Sequence, residues 1–273
     1  MSSTDQMSFL QHLEELRWRV IRSAIAILVF ASAAFVFKGI IFDQIILAPK
    51  KADFITYRAM CAVSQKVGMA DGLCVTADFE LQNISMSGQF TSHIVVSIIA
   101  GIILAFPYVF FQLWSFVRPG LKDKEQNTAR GVVFFTSLLF LSGVAFGYFL
   151  IAPLSIQFLG GYKVSDQVDN IITLNSFITT ITSTTLASGI VFQLPMVIYF
   201  LAKIGLVTPQ SLKAYRKHAL VGVLILAAII TPPDITSQIL VTLPLVVLYE
   251  ISIHIARIVV KKAKRNELKS YNS

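Results

Sequence analysis

Charge is scarce in this chain, and catalytic signatures are missing from it. Of 273 residues only 14% are Asp, Glu, Lys or Arg, against 55% hydrophobic, and the mean hydropathy is +0.71. One soluble core cannot bury that apolar share, so a water-soluble globular domain is excluded and a polytopic membrane protein is required. There is no G-x-x-x-x-G-K-[ST] run, which excludes a nucleotide-binding loop of that type within the chain. H-E-x-x-H, G-x-S-x-G and Cys/His pairs with metal spacing are also missing. The four histidines, His12, His93, His218 and His254, fall in different segments and read as boundary residues rather than ligands. We therefore expect no enzyme, no metal and no cofactor.

Long apolar runs supply the architecture. Six stand out: Ser23 to Phe42, Ile94 to Val117, Gly131 to about Ala152, Ile171 to Ala202, Ala219 to Thr231 and Ile235 to Ile255. The expected fold is all-α, with six transmembrane helices in one integral membrane domain over residues 1–273. An even count puts both termini on one side. With the N-terminus inside, inner segments hold 17 of the 23 Lys and Arg residues, and only Lys38, Lys50, Lys51, Arg58, Lys66 and Lys163 lie outside. That asymmetry predicts an N-in/C-in orientation. The net charge of +8 then reflects orientation, not nucleic-acid binding. Ala31-Ser32-Ala33 resembles a signal cleavage site, but the apolar run continues through Phe35-Val36-Phe37, so the first span is expected to stay uncleaved.

The spans are unequal. The fifth, Ala219 to Thr231, has 13 residues, about 20 Å of helix against a hydrocarbon core of roughly 30 Å. Arg216-Lys217-His218 and Pro232-Pro233-Asp234 bound it, so thinned bilayer or covering protein is expected around it. The fourth is overlong, which predicts tilt, an extension or a kink near Pro195. Residues 1–19 carry an amphipathic stripe (Phe9, Leu10, Leu13, Leu16) that fits a helix on the inner surface or the solvated start of span one. Residues 43–92 form the longest extramembrane loop, on the periplasmic side, with both cysteines, Cys61 and Cys74. A disulfide there would restrict the loop by about 2 to 4 kcal/mol; two free thiols are the alternative. Residues 256–273 make a basic cytoplasmic tail.

Polar groups at membrane depth are costly unless they face protein or water. Gln112, Gln193, Glu250 and His254 all fall in the cytoplasmic-side portions of spans two, four and six. They fit a polar pocket, or separate interhelical hydrogen bonds. The Thr/Ser run from Thr179 to Ser188 reads as small-residue helix packing.

Carboxylates on the basic inner face are the remaining anomaly: Glu14-Glu15 before span one, and Asp123 and Glu125 between spans two and three. Such acids suit a guanidinium ligand, while nearby Lys and Arg repel basic peptides at large. Local pairing, Glu15 with Arg19 and Glu125 with nearby lysines, explains the pattern more simply.

The ordered motifs add to this. His12-Leu13-Glu14-Glu15-Leu16-Arg17-Trp18-Arg19 resembles the H-L-x-E-L-R-x-R opening of the TatC family, the multispanning subunit of the twin-arginine protein translocase. The likeness continues through Pro107, Phe111-Gln112-Leu113-Trp114-Ser115-Phe116, Pro119-Gly120-Leu121 and Glu125, then Phe192-Gln193-Leu194-Pro195 and Thr231-Pro232-Pro233-Asp234 with Ser237-Gln238. The resemblance implies a six-helix receptor for twin-arginine signal peptides of folded proteins, driven by the protonmotive force. Glu15 and Glu125 match the signal-recognising glutamates, with Arg17 and Phe116 in support. Implied partners are TatA-type and, where present, TatB-type single-span subunits, membrane lipid and further copies of the chain in a larger complex, and the implied location is the cell's inner membrane. Gln193 departs from the family pattern, which often has glutamate there, and glutamine cannot titrate. An ion-coupled small-solute transporter using Glu250 is the alternative reading, and a scaffold for single-span helices a third.

Overall fold

At membrane depth a chain satisfies its backbone polar groups most readily within helices. A computed structural model describes residues 9–67, 79–117, 129–165, 167, 170–231 and 235–271, and it is helical almost throughout. The α-helices are α1 (Phe9–Val36), α2 (Ile55–Val67), α3 (Gly88–Val117), α4 (Ala129–Phe146), α5 (Ala152–Gly161), α6 (Leu174–Val191), α7 (Leu194–Lys203), α8 (Pro209–Ala214), α9 (Arg216–Ile230) and α10 (Ile235–Tyr271). Two π-helical segments, Ile40–Ile46 and Gly147–Ile151, interrupt the runs that follow α1 and α4. Two-residue strands, β1 (Leu81–Gln82) and β2 (Ile172–Thr173), pair in parallel with Leu81 opposite Ile172.

Among the described residues, five helical stretches are long and apolar enough to cross a membrane: His12–Val36, Gly88–Phe116, Gly131–Gly161, Leu174–Lys203 and Gln238–Lys262. Helix α9, expected as the short span, has 15 residues, about 22 Å. From Phe9 onward the amphipathic approach and the first span are one continuous helix, and residues 1–8 of that approach lie outside the described residues. The regular α-helical part of that helix ends at Val36, and after a turn at Phe37 the chain is helical again through Lys38 and Gly39 and on in the π segment to Ile46. The third run reaches Gly161, beyond the expected Ala152: Pro153 sits in the first turn of α5, where its missing N–H costs nothing. The fourth breaks at Phe192-Gln193, just before Pro195, as its proline predicts.

Small residues set the closest seams. Helix α1 lies along α3, and a Cβ added at Gly101 would come within 2.7 Å of the Ala31 nitrogen. Helix α4 meets α6 through Gly143 and Gly147, where a Cβ would lie 2.6 Å from the Ser188 carbonyl and 2.8 Å from that of Thr184. This is close packing of the small-x-x-x-small kind. The hydroxyls of the Thr/Ser run donate along their own helix, Thr180 to Ser176 O at 2.9 Å and Thr182 to Ile178 O at 2.7 Å. Thr185 differs, its hydroxyl being buried without a partner among the described residues.

Helix α2 caps the end of the bundle where α1 stops and α3 begins. The Tyr57 hydroxyl lies 3.1 Å from Pro49 O and 3.2 Å from Pro153 O, Thr56 donates to Phe149 O, and Tyr148 donates to Ile45 O at 2.6 Å. Ile45 and Phe149 belong to the π segments, whose altered registers suit carbonyls to side-chain donors. Cys61 on α2 is disulfide-bonded. Cys74, the chain's other cysteine, lies outside the described residues.

Candidate functional site

At the opposite end of the bundle, the start of α1 meets the end of α3. His12 stacks on Phe116 with ring centroids 4.2 Å apart and planes 18° from parallel. One turn along α1 stands Glu15, its side chain 24% exposed. Arg19, four residues on, donates its Nε to Glu15 Oε1 at 3.0 Å, and its Nη2 contacts the same oxygen. Both guanidinium donors thus go to one carboxylate oxygen. The other, Oε2, is buried and has no hydrogen-bond partner among the described residues. Leaving such a group unmet costs about 1–3 kcal/mol, more when it is charged. A cavity of about 380 Å³, lined by Glu15, Trp18, Arg19 and Arg22, opens here. The arrangement can accept one more donor, preferably cationic, and its flanking guanidiniums repel cations that do not reach the carboxylate.

Glu14 and Arg17 are exposed beside this site. Asp123 and Glu125 lie outside the described residues; the segment carrying them leaves α3 directly after Val117, next to Phe116. The structure therefore links Phe116 to the turn of α1 that precedes Glu15, through its stack on His12, while Arg17, two residues from Glu15, is exposed on a different face of the helix. A neighbouring aromatic cluster escaped sequence reasoning. Trp114 is buried with Val132 and Met196, and Lys203 Nζ stands 5.9 Å from the Trp114 ring centre and 5.8 Å from that of Tyr199. The signal was available: Trp114 and Lys203 end spans two and four, which the charge pattern places on the same side.

The four membrane-depth polar residues do not converge on one described cavity. Gln112 is 5% exposed within the bundle. Gln193, at the α6–α7 break, donates Nε2 to Thr136 O on α4 at 3.0 Å, while its Oε1 is buried without a partner among the described residues. Glu250 is 48% exposed and accepts from Arg216 Nη2 at 2.6 Å, joining α10 to the start of α9. His254 is exposed. Gln193 and Glu250 each make a separate interhelical contact, and separate contacts of that kind describe them better than the pocket a solute transporter needs.

Comparison with known proteins gives the family. Residues 11–244 match the model of the Sec-independent protein translocase protein (TatC) family. The TatC protein of Blattabacterium sp. subsp. Periplaneta americana is 40% identical over 260 residues, covering 94% of this chain and 98% of that protein. TatCy of Bacillus subtilis is 33% identical over 262 residues, covering 96% and 93%. A crystal structure of the twin-arginine translocase receptor TatC in DDM superposes with a TM-score of 0.71 at 31% identity, covering 90% of this chain and 99% of that one. A match over most of both sequence and fold leaves one assignment: the chain belongs to the TatC family of Sec-independent protein translocase proteins.

Proposed function

We propose that this chain is the receptor and core subunit of a twin-arginine translocase, binding the signal peptides of folded proteins at the Glu15 end of the bundle. The observation that carries this reading is the buried, unmet Oε2 of Glu15, a residue that lines a cavity with Trp18, Arg19 and Arg22. A peptide guanidinium supplies the donor that Oε2 lacks. It then shares the carboxylate with Arg19 or displaces Arg19 and takes both oxygens, while the second arginine of the pair goes to Glu125. Phe116 and His12 flank the site from the preceding turn of α1, and Arg17 adds positive charge on another face of the helix against lysine-rich sequences.

The surrounding assignments follow from family membership and charge. The chain crosses the inner membrane six times, N-in/C-in, with α9 as the short fifth span. It works with TatA-type and TatB-type single-span subunits, in a complex of several copies powered by the protonmotive force. Cys61 pairs with Cys74 on the periplasmic side. Photo-crosslinking from positions 15 and 125 to a twin-arginine peptide, with a twin-lysine peptide as control, tests the receptor reading. Labelling that requires the arginines is expected; equal labelling of both peptides, or none, would overturn it.

A further inference from the structure

Where α1 ends and α3 begins, beside the α2 cap, a cavity of about 670 Å³ is lined by Lys38, Lys50, Asp43, Asn83, Gln89 and His93 among others. Among the described residues neither lysine makes a salt bridge or a side-chain hydrogen bond. Asp43 is the one carboxylate in the lining, so the cavity keeps a cationic excess. His93 is fixed by stacking on Phe35, 3.9 Å between ring centres, and by a 3.1 Å contact from Nε2 to Phe35 O.

A second cavity, of about 310 Å³ and almost wholly apolar, lies against the same two elements. In the π segment, Phe42 and Asp43 line the polar cavity, whereas Ile41, Ile45 and Ile46 line the apolar one. Along α3, Gln89 and His93 line the polar cavity, and Val96, Ala100 and Ile103 line the apolar one. Those five positions recur at intervals of three and four residues, which places them on one helix face. That face therefore runs from a cationic chamber at the membrane boundary into an apolar groove at membrane depth. A ligand matching both has an anionic head and a hydrocarbon tail.

We propose that these two cavities form one binding site for an anionic phospholipid of the leaflet on the α2 side. The phosphate is held between Lys38 and Lys50, with Asn83 and Gln89 as further donors, and an acyl chain lies along the groove. Basic pockets between membrane helices bind phosphate head groups in this manner, with roughly fivefold in affinity for each lysine near the surface. A neutral-headed lipid fills the groove without using the lysines.

Native mass spectrometry of the full chain, delipidated in detergent and titrated with dioleoylphosphatidylglycerol or dioleoylphosphatidylcholine, decides the matter. Phosphatidylglycerol should bind about tenfold or more tightly than phosphatidylcholine. Lys38→Gln with Lys50→Gln should abolish that preference and leave phosphatidylcholine binding unchanged, while Lys38→Arg with Lys50→Arg should keep it and so control for folding. Asp43→Asn should tighten phosphatidylglycerol, and Ala100→Phe should weaken both lipids by narrowing the groove. Equal binding of the two lipids by the native chain, or a preference that survives the glutamine pair, would overturn the head-group site. Soluble glycerol phosphate binding as tightly as phosphatidylglycerol would make it a free-anion site, and unchanged lipid binding by Ala100→Phe would remove the groove from it.

Discussion

The two ends of the bundle treat their polar groups in opposite ways. At the capped end, Thr56, Tyr57 and Tyr148 each deliver a hydroxyl into a backbone carbonyl of another segment. These contacts tie α2, the two π segments and α5 together. At the other end, Arg19 commits two donors to one oxygen of Glu15 and leaves the second oxygen buried and unmet. Satisfied polar groups rigidify, and an unsatisfied one stores a preference for whatever completes it. The capped end thus reads as scaffold and the Glu15 end as receptor.

The strongest way to break this contrast is Glu15→Gln. It removes the charge a peptide guanidinium would meet, and losing one partner of such a desolvated pair costs roughly 2–5 kcal/mol of affinity. Twin-arginine peptide binding, read by fluorescence anisotropy in detergent, should weaken by at least about 30-fold, with thermal stability little changed. Undiminished binding would make Glu15 an ordinary ion pair.

The capped end should show the reverse, a stability effect without a binding effect. Tyr57 is 3% exposed, and burial pushes its phenol up to about 12 from an ordinary 10.0. Folding favours the neutral phenol, so its contribution is in place below pH 10 and is lost as pH rises toward 12. Tyr57→Phe should cost about 1–2 kcal/mol at neutral pH by leaving the carbonyls of Pro49 and Pro153 without this donor. The variant should also lose less stability than the native chain between pH 10 and 12. Thermal unfolding across that range checks both, and identical alkaline slopes would show that Tyr57 does not govern the cap.

Legibility in the sequence followed the same division. Helical class, unequal spans and the break before Pro195 were readable because hydrophobic runs and proline act locally. The Glu15–Arg19 pair was readable because it spans one helical turn. What could not be read was which oxygen of Glu15 the pair leaves unmet, since that depends on the Arg19 rotamer and on burial by other helices. The π segments and the length of the third run were missed for a related reason. Tyr57, Thr56 and Tyr148 hold them through contacts 93 to 103 residues distant in sequence, or through a neighbour 8 residues away. Glu125 and Cys74 remain assignments from family resemblance and chain content.

Arg19 offers a finer test of the receptor end. As the internal partner of Glu15, it competes with the peptide for the same carboxylate. Arg19→Gln should tighten binding of both twin-arginine and twin-lysine peptides by several-fold, about 1 kcal/mol, with lysine gaining more because the repulsive neighbour is gone. Competition binding with the two peptides measures the change in their ratio. Weaker binding of both would mean that Arg19 positions Glu15 for the ligand.

The smallest effect should come from the other membrane-boundary carboxylate, which resembles Glu15 in partner type and differs in what is left over. Glu250 and Arg216 are 48% and 50% exposed and meet across two helices, with neither carboxylate oxygen buried and unmet among the described residues. An exposed pair of this kind contributes at most about 1 kcal/mol. Its structural part is to fasten the start of α9, which is too short to be held by bilayer matching alone. Glu250→Gln should therefore lower thermal stability slightly, leave twin-arginine peptide affinity within error, and produce no change in solute flux across vesicles containing the chain. A large loss of peptide binding would show that the unmet oxygen of Glu15 does not separate receptor from fastening, because a half-exposed ion pair at the other seam would then matter as much.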